Sequence, residues 1–136
     1  MITALDTNVL LDILLPNPKF YSFSADALQQ ATHSGSLVIC DLVYAELCVH
    51  FETLRGCGVF LTENQIRTET LTPEAVFLAS RIWRTYRQQG GKRARILSDF
   101  LIGAHAQVQA SRLLTRDRGF YRPMFPALQI LDPVGT

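Results

Sequence analysis

Short apolar runs, each breaking off at a polar or acidic residue and separated by helix-period stretches, govern how this chain can fold. Ile2 to Leu5 stops at Asp6, Leu37 to Cys40 stops at Asp41, and Leu113-Leu114-Thr115 ends near Asp117. Apolar residues at successive rather than alternate positions read as strands buried on both faces. Gln129-Ile130-Leu131 is a possible further strand.

Between these runs the sequence carries helix signals. Val9, Leu10, Ile13 and Leu14 recur at helical spacing until Pro16 and Pro18 end the element. Ser24 to His33 reads as a helix capped by Ser22 or Ser24 and closed by Gly35, and Asp41 is the expected N-cap of a helix carrying Tyr44 to Val49. Phe51 to Leu61 is apolar enough to continue helically despite Gly56 and Gly58. Thr72-Pro73-Glu74 supplies a cap, a proline and a first-turn acid for a helix to about Gln88, expected to bury Val76, Ala79, Ile82, Trp83 and Tyr86. Gly90-Gly91 then leads into a basic loop, Lys92 to Arg95, and Ser98 caps a helix from Asp99 to about Gln109. Strands alternating with helices predict an α/β fold, a three-layer α/β/α arrangement around a parallel sheet of four to five strands.

With 136 residues, 48% of them hydrophobic and 18% charged, the chain is expected to form one domain, residues 1–136, with its own core. That composition excludes disorder, collagen and coiled coil. The apolar run Val9 to Leu15 is too short for a membrane span and is interrupted by Asp12. Met1 to Asp6 lacks a basic leader, and Cys40, Cys48 and Cys57 form no CxxC pair. Reduced thiols in a cytoplasmic protein, with no membrane partner, are the expectation. The net charge of +1 conceals an asymmetry: residues 1–80 hold three bases against nine acids, and residues 81–136 ten bases against three acids. Such a distribution either offers a basic face to a polyanion or is interleaved by folding into an ordinary solvated surface.

Ligands of parallel sheets bind beyond the carboxyl ends of the strands, so the acids there are the candidate chemistry. Asp6 ends the first strand, Asp117 follows the third, Asp99 opens a helix, and Glu46 lies in the apolar stretch Tyr44 to Val49, where it is expected to be partly buried. Each has an ordinary alternative: Asp6 as a helix cap, Asp99 as a dipole partner, Asp117 as a surface ion pair beside Arg116 and Arg118, Glu46 as the partner of a buried arginine. Four carboxylates at one rim repel one another unless some are protonated or a cation is bound. Hard oxygen donors select Mg²⁺ or Mn²⁺, and no histidine or cysteine cluster argues for zinc. Such a site suits phosphodiester hydrolysis, where the metal activates water and neutralises developing charge.

Four segments resemble the PIN-domain ribonucleases. Leu5-Asp6-Thr7-Asn8-Val9-Leu10-Leu11-Asp12 looks like the family's opening, and Tyr44-Ala45-Glu46-Leu47 like its second-acid helix. Ile96 to Ala106, with Ser98-Asp99, is similar to its third-acid helix, and Leu114-Thr115-Arg116-Asp117-Arg118-Gly119-Phe120-Tyr121 to its fourth-acid segment. The likeness spans nearly the whole chain in order, and the compact form looks most like VapC toxins of toxin–antitoxin pairs. The resemblance implies a metal pocket of Asp6, Glu46, Asp99 and Asp117, with Asn8 and Thr115 orienting the acids or water. It also implies a Mg²⁺-dependent endoribonuclease with an RNA substrate. Arg93, Arg95, Arg116 and Arg118 flank the pocket in sequence as candidate holders of RNA phosphates, with Arg112 and Arg122 as alternatives. Phe51, Leu54, Val59, Phe60 and Leu61 offer either core packing or a groove for a cognate antitoxin, and such toxins commonly form homodimers.

Other residues read as structural. Asp12 is expected to be a solvated helix residue, His33, His50 and His105 lack ligand spacing, and Cys40 and Cys48 are expected to be buried thiols. Competing readings are a haloacid-dehalogenase-type phosphatase, which needs an acid where Asn8 stands, and a receiver domain, which needs paired acids at the first strand. A nuclease of RNA processing, a DNA nuclease, and an inactive module binding nucleic acid or protein complete the alternatives.

Overall fold

A computed structural model describes residues 1–91 and 97–135. The described residues form five strands: β1 (Ile2–Leu5), β2 (Ser36–Cys40), β3 (Ile66–Glu69), β4 (Arg112–Leu114) and β5 (Ile130–Leu131). They form one sheet in the order β3-β2-β1-β4-β5, every pairing parallel. The helices are α1 (Thr7–Leu14), α2 (Tyr21–Ser34), α3 (Asp41–Cys48), α4 (Leu54–Glu63), α5 (Pro73–Gln88), α6 (Leu97–Gln109) and α7 (Arg118–Met124).

The chain starts at the sheet's centre, moves outward through β2 to β3, and returns past β1 to β4 and β5. Because the chain first moves one way to β3 and then back the other way to β4 and β5, right-handed crossovers cover both faces of the sheet with helices. The strand order reverses between β1 and β4, and at such a switch point open α/β sheets form a crevice beyond the carboxyl ends of the strands. Register aligns Leu5 with Leu114, and the amide of Asp6 continues the ladder by donating to the Leu114 carbonyl at 3.0 Å. Asp6 and Thr115 therefore leave the sheet side by side.

The core consists of the strand residues Ala4, Leu5, Leu37 to Cys40, Leu113 and Leu114, all essentially solvent-free, with Phe100, Tyr121 and Phe125 beneath α6 and α7. A chain of ring contacts runs Tyr86–Phe100–Phe120–Tyr121–Phe125, with centroids 4.9 to 6.2 Å apart. The Phe125 ring lies so close to Gly103 that a Cβ there would collide with it. Gly35 turns α2 into β2 at φ +154°, against the Met1 backbone, where no side chain fits.

Several local expectations are corrected. Ser24 does not cap α2, which begins at Tyr21; it is buried inside the helix. Asp41 is the first residue of α3, whose N-cap is Cys40. Strand β3 was not expected, because at the sheet edge only Ile66 of its four residues is buried. Helix α7 contains Gly119 and Pro123, which hide its helical character in the sequence. Helix α5 matches its predicted start, with Ala75 N–H donating to the Thr72 hydroxyl, but it buries Ala75 and Ala79 and leaves Val76 45% exposed. Cys40 and Cys57 are buried thiols, whereas Cys48 is half-buried, its Sγ 3.6 Å from that of Cys57. Among the described residues, no helix is long and apolar enough to cross a membrane.

Candidate active site

The crevice beyond β1 and β4 gathers the predicted acids. Asp6 is 7% exposed and caps α1, its Oδ1 accepting from the Thr7 amide at 2.8 Å. Capping occupies only Oδ1; Oδ2 accepts from the Thr115 hydroxyl at 2.8 Å and from Asn8 Nδ2 at 3.3 Å. Thr115 Oγ1 in turn accepts from the Asp117 amide at 3.0 Å, which fixes the fourth acid relative to the first. Thr7 does the same for the second acid, donating its hydroxyl to Glu46 Oε1 at 2.7 Å.

Glu46 departs from expectation in one respect: it is exposed at the edge of α3, not partly buried against the sheet. Burial falls instead on Val43 and Leu47 of that helix. Asp99 and Asp117 are half-buried.

Asp99 joins the group through Tyr121, a buried residue of α7 that the sequence reading did not single out. Its phenol is pushed well above the ordinary tyrosine value, first by burial and then by the negative charges of Asp6, Asp99 and Asp117. It also donates a hydrogen bond to Asp6, so the charges of three acids from three elements act on one hydroxyl. The carboxyl of Asp6 is raised to about 6, mainly by burial and further by the charge of Glu46, against the hydrogen bonds from Thr115, Thr7 and Tyr121. Thr7 was likewise overlooked, although it stands inside the Asp6-Thr7-Asn8 motif that drew attention to its neighbours.

Among the described residues, no three of the histidine, cysteine, aspartate and glutamate side chains are drawn into a closed metal cage. The donor chemistry nevertheless fits a hard cation. Four carboxylates and two threonine hydroxyls supply oxygen ligands only, and negative charge crowded around a buried carboxyl is what a divalent ion relieves. Asp6, Glu46, Asp99 and Asp117 are the residues that would hold it. Bound there, such an ion would polarise a phosphate and increase the acidity of a water. The chain's own contribution is to orient: Asn8 and Thr115 hold Asp6, Thr115 holds Asp117, and Thr7 holds Glu46.

The remaining candidates divide. Arg93 and Arg95 lie outside the described residues. Arg118 is open to solvent at the start of α7, with a loose contact to Asp132 at 3.4 Å. Arg116 is engaged with Asp12, and this corrects the expectation that Asp12 is solvated: it is 2% exposed. On α4 and the segment before it, Leu54 is 75% and Val59 47% exposed, Phe51 and Phe60 pack at 5.8 Å, and Leu61 turns into the core. His105 is buried against Glu69 at 2.9 Å.

An all-parallel α/β sheet with carboxylates gathered beyond the carboxyl ends of its central strands defines the class, an α/β fold with an acidic site at its switch point. Within that class the chain belongs to the PIN domain family, whose model matches residues 3–125. Solved structures share the fold over nearly the whole of both chains. They include VapBC2 from Rickettsia felis bound to a DNA fragment from its promoter (20% identity, 97% of this chain and 98% of that one, TM-score 0.74). VapBC-1 from nontypeable Haemophilus influenzae is similar as well (21% identity, 99% and 100%, TM-score 0.74). So is a toxin–antitoxin complex from Klebsiella pneumoniae (17% identity, 98% and 99%, TM-score 0.67). No curated protein matches the sequence.

Proposed function

We propose that residues 1–136 act as one domain, a Mg²⁺- or Mn²⁺-dependent endoribonuclease that is the VapC-type toxin of a toxin–antitoxin pair. The observation that carries the reading is the pair of threonine bridges at the strand ends, Thr7 from Asp6 to Glu46 and Thr115 from Asp6 to Asp117. A binding module for nucleic acid gains nothing from holding acids together where phosphates approach; a metal-dependent hydrolase needs it. Asp6, Glu46, Asp99 and Asp117 hold the metal, and Asn8 and Thr115 orient them. RNA phosphates are held by Arg118, with Arg93 and Arg95 as further candidates, while Arg116 is committed to Asp12.

The toxin reading draws on the VapBC and toxin–antitoxin complexes that share the fold. The antitoxin contacts the apolar face with Phe51, Leu54, Val59 and Phe60, the protein is a homodimer, and it works in the cytoplasm. What supports this contact is the exposure of Leu54 and Val59, 75% and 47%.

The test is cleavage of structured RNA by the purified chain with Mg²⁺, Mn²⁺ or EDTA, beside Asp99→Asn. Metal-dependent scission lost in the variant supports the reading. Scission that survives in folded Asp99→Asn or in EDTA overturns it, and cutting of DNA alone replaces RNA as the substrate.

A further inference from the structure

The most heavily bonded carboxylate described outside the acidic rim belongs to Asp12, on α1. Burying a charge is costly unless it is paired and hydrogen-bonded. Asp12 accepts three hydrogen bonds: Arg116 Nε at 2.7 Å and Ser24 Oγ at 2.7 Å, both to Oδ2, and Arg116 Nη2 at 3.0 Å to Oδ1. The guanidinium is also stacked on Phe20, 4.0 Å from the ring centre. Fork-to-carboxylate bonds of this kind fix direction as well as distance.

What makes the pair consequential is where Arg116 stands. It lies between Thr115, which holds Asp6, and Asp117, the fourth acid. Its backbone N–H donates to Asn8 Oδ1 at 3.2 Å, while Asn8 Nδ2 reaches Asp6 Oδ2 and Thr115 Oγ1. The segment after β4 is thus pinned to α1 twice, once by a neutral amide near the pocket and once by a charge-assisted clamp behind it.

We propose that Asp12 is a positioning residue of the acidic pocket: through Arg116 it holds the Thr115–Asp117 segment against α1, and so sets Asp117 relative to Asp6 for a divalent cation. The inference rests on the metal-dependent reading above. It also gives Arg116 a role other than phosphate binding.

The test is Mn²⁺ binding by the full chain, measured calorimetrically without RNA, for wild type, Asp12→Asn, Arg116→Gln and Ser24→Ala, each checked for folding by circular dichroism. Loss of groups that orient metal ligands typically weakens affinity by about 10- to 100-fold, and that loss is expected for Asp12→Asn and Arg116→Gln. Arg116→Gln is decisive because simple electrostatics has the opposite sign. Removing a cation beside an acidic pocket should tighten Mn²⁺, whereas losing the clamp should loosen it. Ser24→Ala removes a hydrogen bond from the same carboxylate without freeing Arg116, so it should stay within about twofold of wild type, and it controls for general loosening of α1 and α2. Folded Arg116→Gln that binds Mn²⁺ as well as or better than wild type overturns the inference, as does an equal loss in Ser24→Ala. Wild type that binds no Mn²⁺ overturns the metal-dependent reading and the inference together; wild type that binds beside unaffected variants overturns the inference alone.

Discussion

Thr115 donates its hydroxyl to Asp6 at 2.8 Å across 109 residues of sequence, and the same oxygen accepts the amide of Asp117. One small side chain thus sets two acids that belong to different strand ends. Thr115→Val keeps the shape but leaves Asp6 without its closest side-chain donor and the Asp117 amide without its acceptor. RNA cleavage is expected to fall about 10- to 100-fold, with about 1–3 kcal/mol lost in urea unfolding. Unchanged cleavage rates in Thr115→Val would mean the bridge is structural only.

The acids themselves should differ in their sensitivity. Asp6→Asn, Asp99→Asn and Asp117→Asn keep size and remove a charged ligand, so metal-dependent cleavage should drop by at least about 10²-fold, in keeping with the several kcal/mol a catalytic ion supplies. Glu46→Gln should cost less, because this side chain is exposed and the amide keeps an oxygen that can accept from the Thr7 hydroxyl. Single-turnover rates on one RNA would rank them, and a Glu46→Gln loss equal to that of Asp6→Asn would contradict the ordering.

Stability without metal should carry the signature of Asp6. Its carboxyl titrates near 6 in the folded chain and near 3.8 unfolded, so between these values the folded state binds more protons. Stability from this group is therefore greatest below about pH 4 and declines as pH rises to about 6, by roughly 3 kcal/mol in total. Comparing urea unfolding at pH 4.5 and 7.5 in chelator, the decline should be smaller in Asp6→Asn than in wild type. Mn²⁺ should recover stability in wild type at pH 7.5, by about 2.7 kcal/mol at a hundredfold excess over its dissociation constant. An equal pH slope in both proteins would place the raised titration elsewhere.

Arg118 provides the electrostatic test. If it holds an RNA phosphate, the plot of log affinity against log salt for single-stranded RNA should lose about 0.7 of its slope in Arg118→Gln. Arg116→Gln, whose guanidinium is committed to Asp12, should leave that slope unchanged. Parallel salt slopes for wild type and Arg118→Gln would return Arg118 to the solvated surface.

Much of this was legible in the sequence because it is local. Leu37–Cys40 is apolar at every position and Ile2–Leu5 at all but Thr3, a pattern that suits a doubly covered strand, and Thr72-Pro73-Glu74 announces a helix by caps that act within one turn. With parallel strands assigned, the convergence of Asp6 and Asp117 at one edge followed from topology alone. Strand β3 escaped because an edge strand buries one residue in four and leaves no pattern. Glu46 was misjudged because an apolar neighbourhood in sequence does not say which side of α3 meets the sheet.

The pairings were decided by tertiary structure. Asp12 and Arg116 each resemble a solvated surface charge when read singly, and 104 residues separate them. Only when β4 lies against β1 does the segment after it reach α1, and only then does the buried Asp12 carboxylate meet the partner that burial requires. Tyr121 met the acids for the same reason: the turn of α7 beneath the crevice, which no local spacing encodes, points its hydroxyl at Asp6. Composition and periodicity act through neighbours along the chain and so determined the elements. Charge pairing and hydrogen bonding act through space, and they waited for the sheet order.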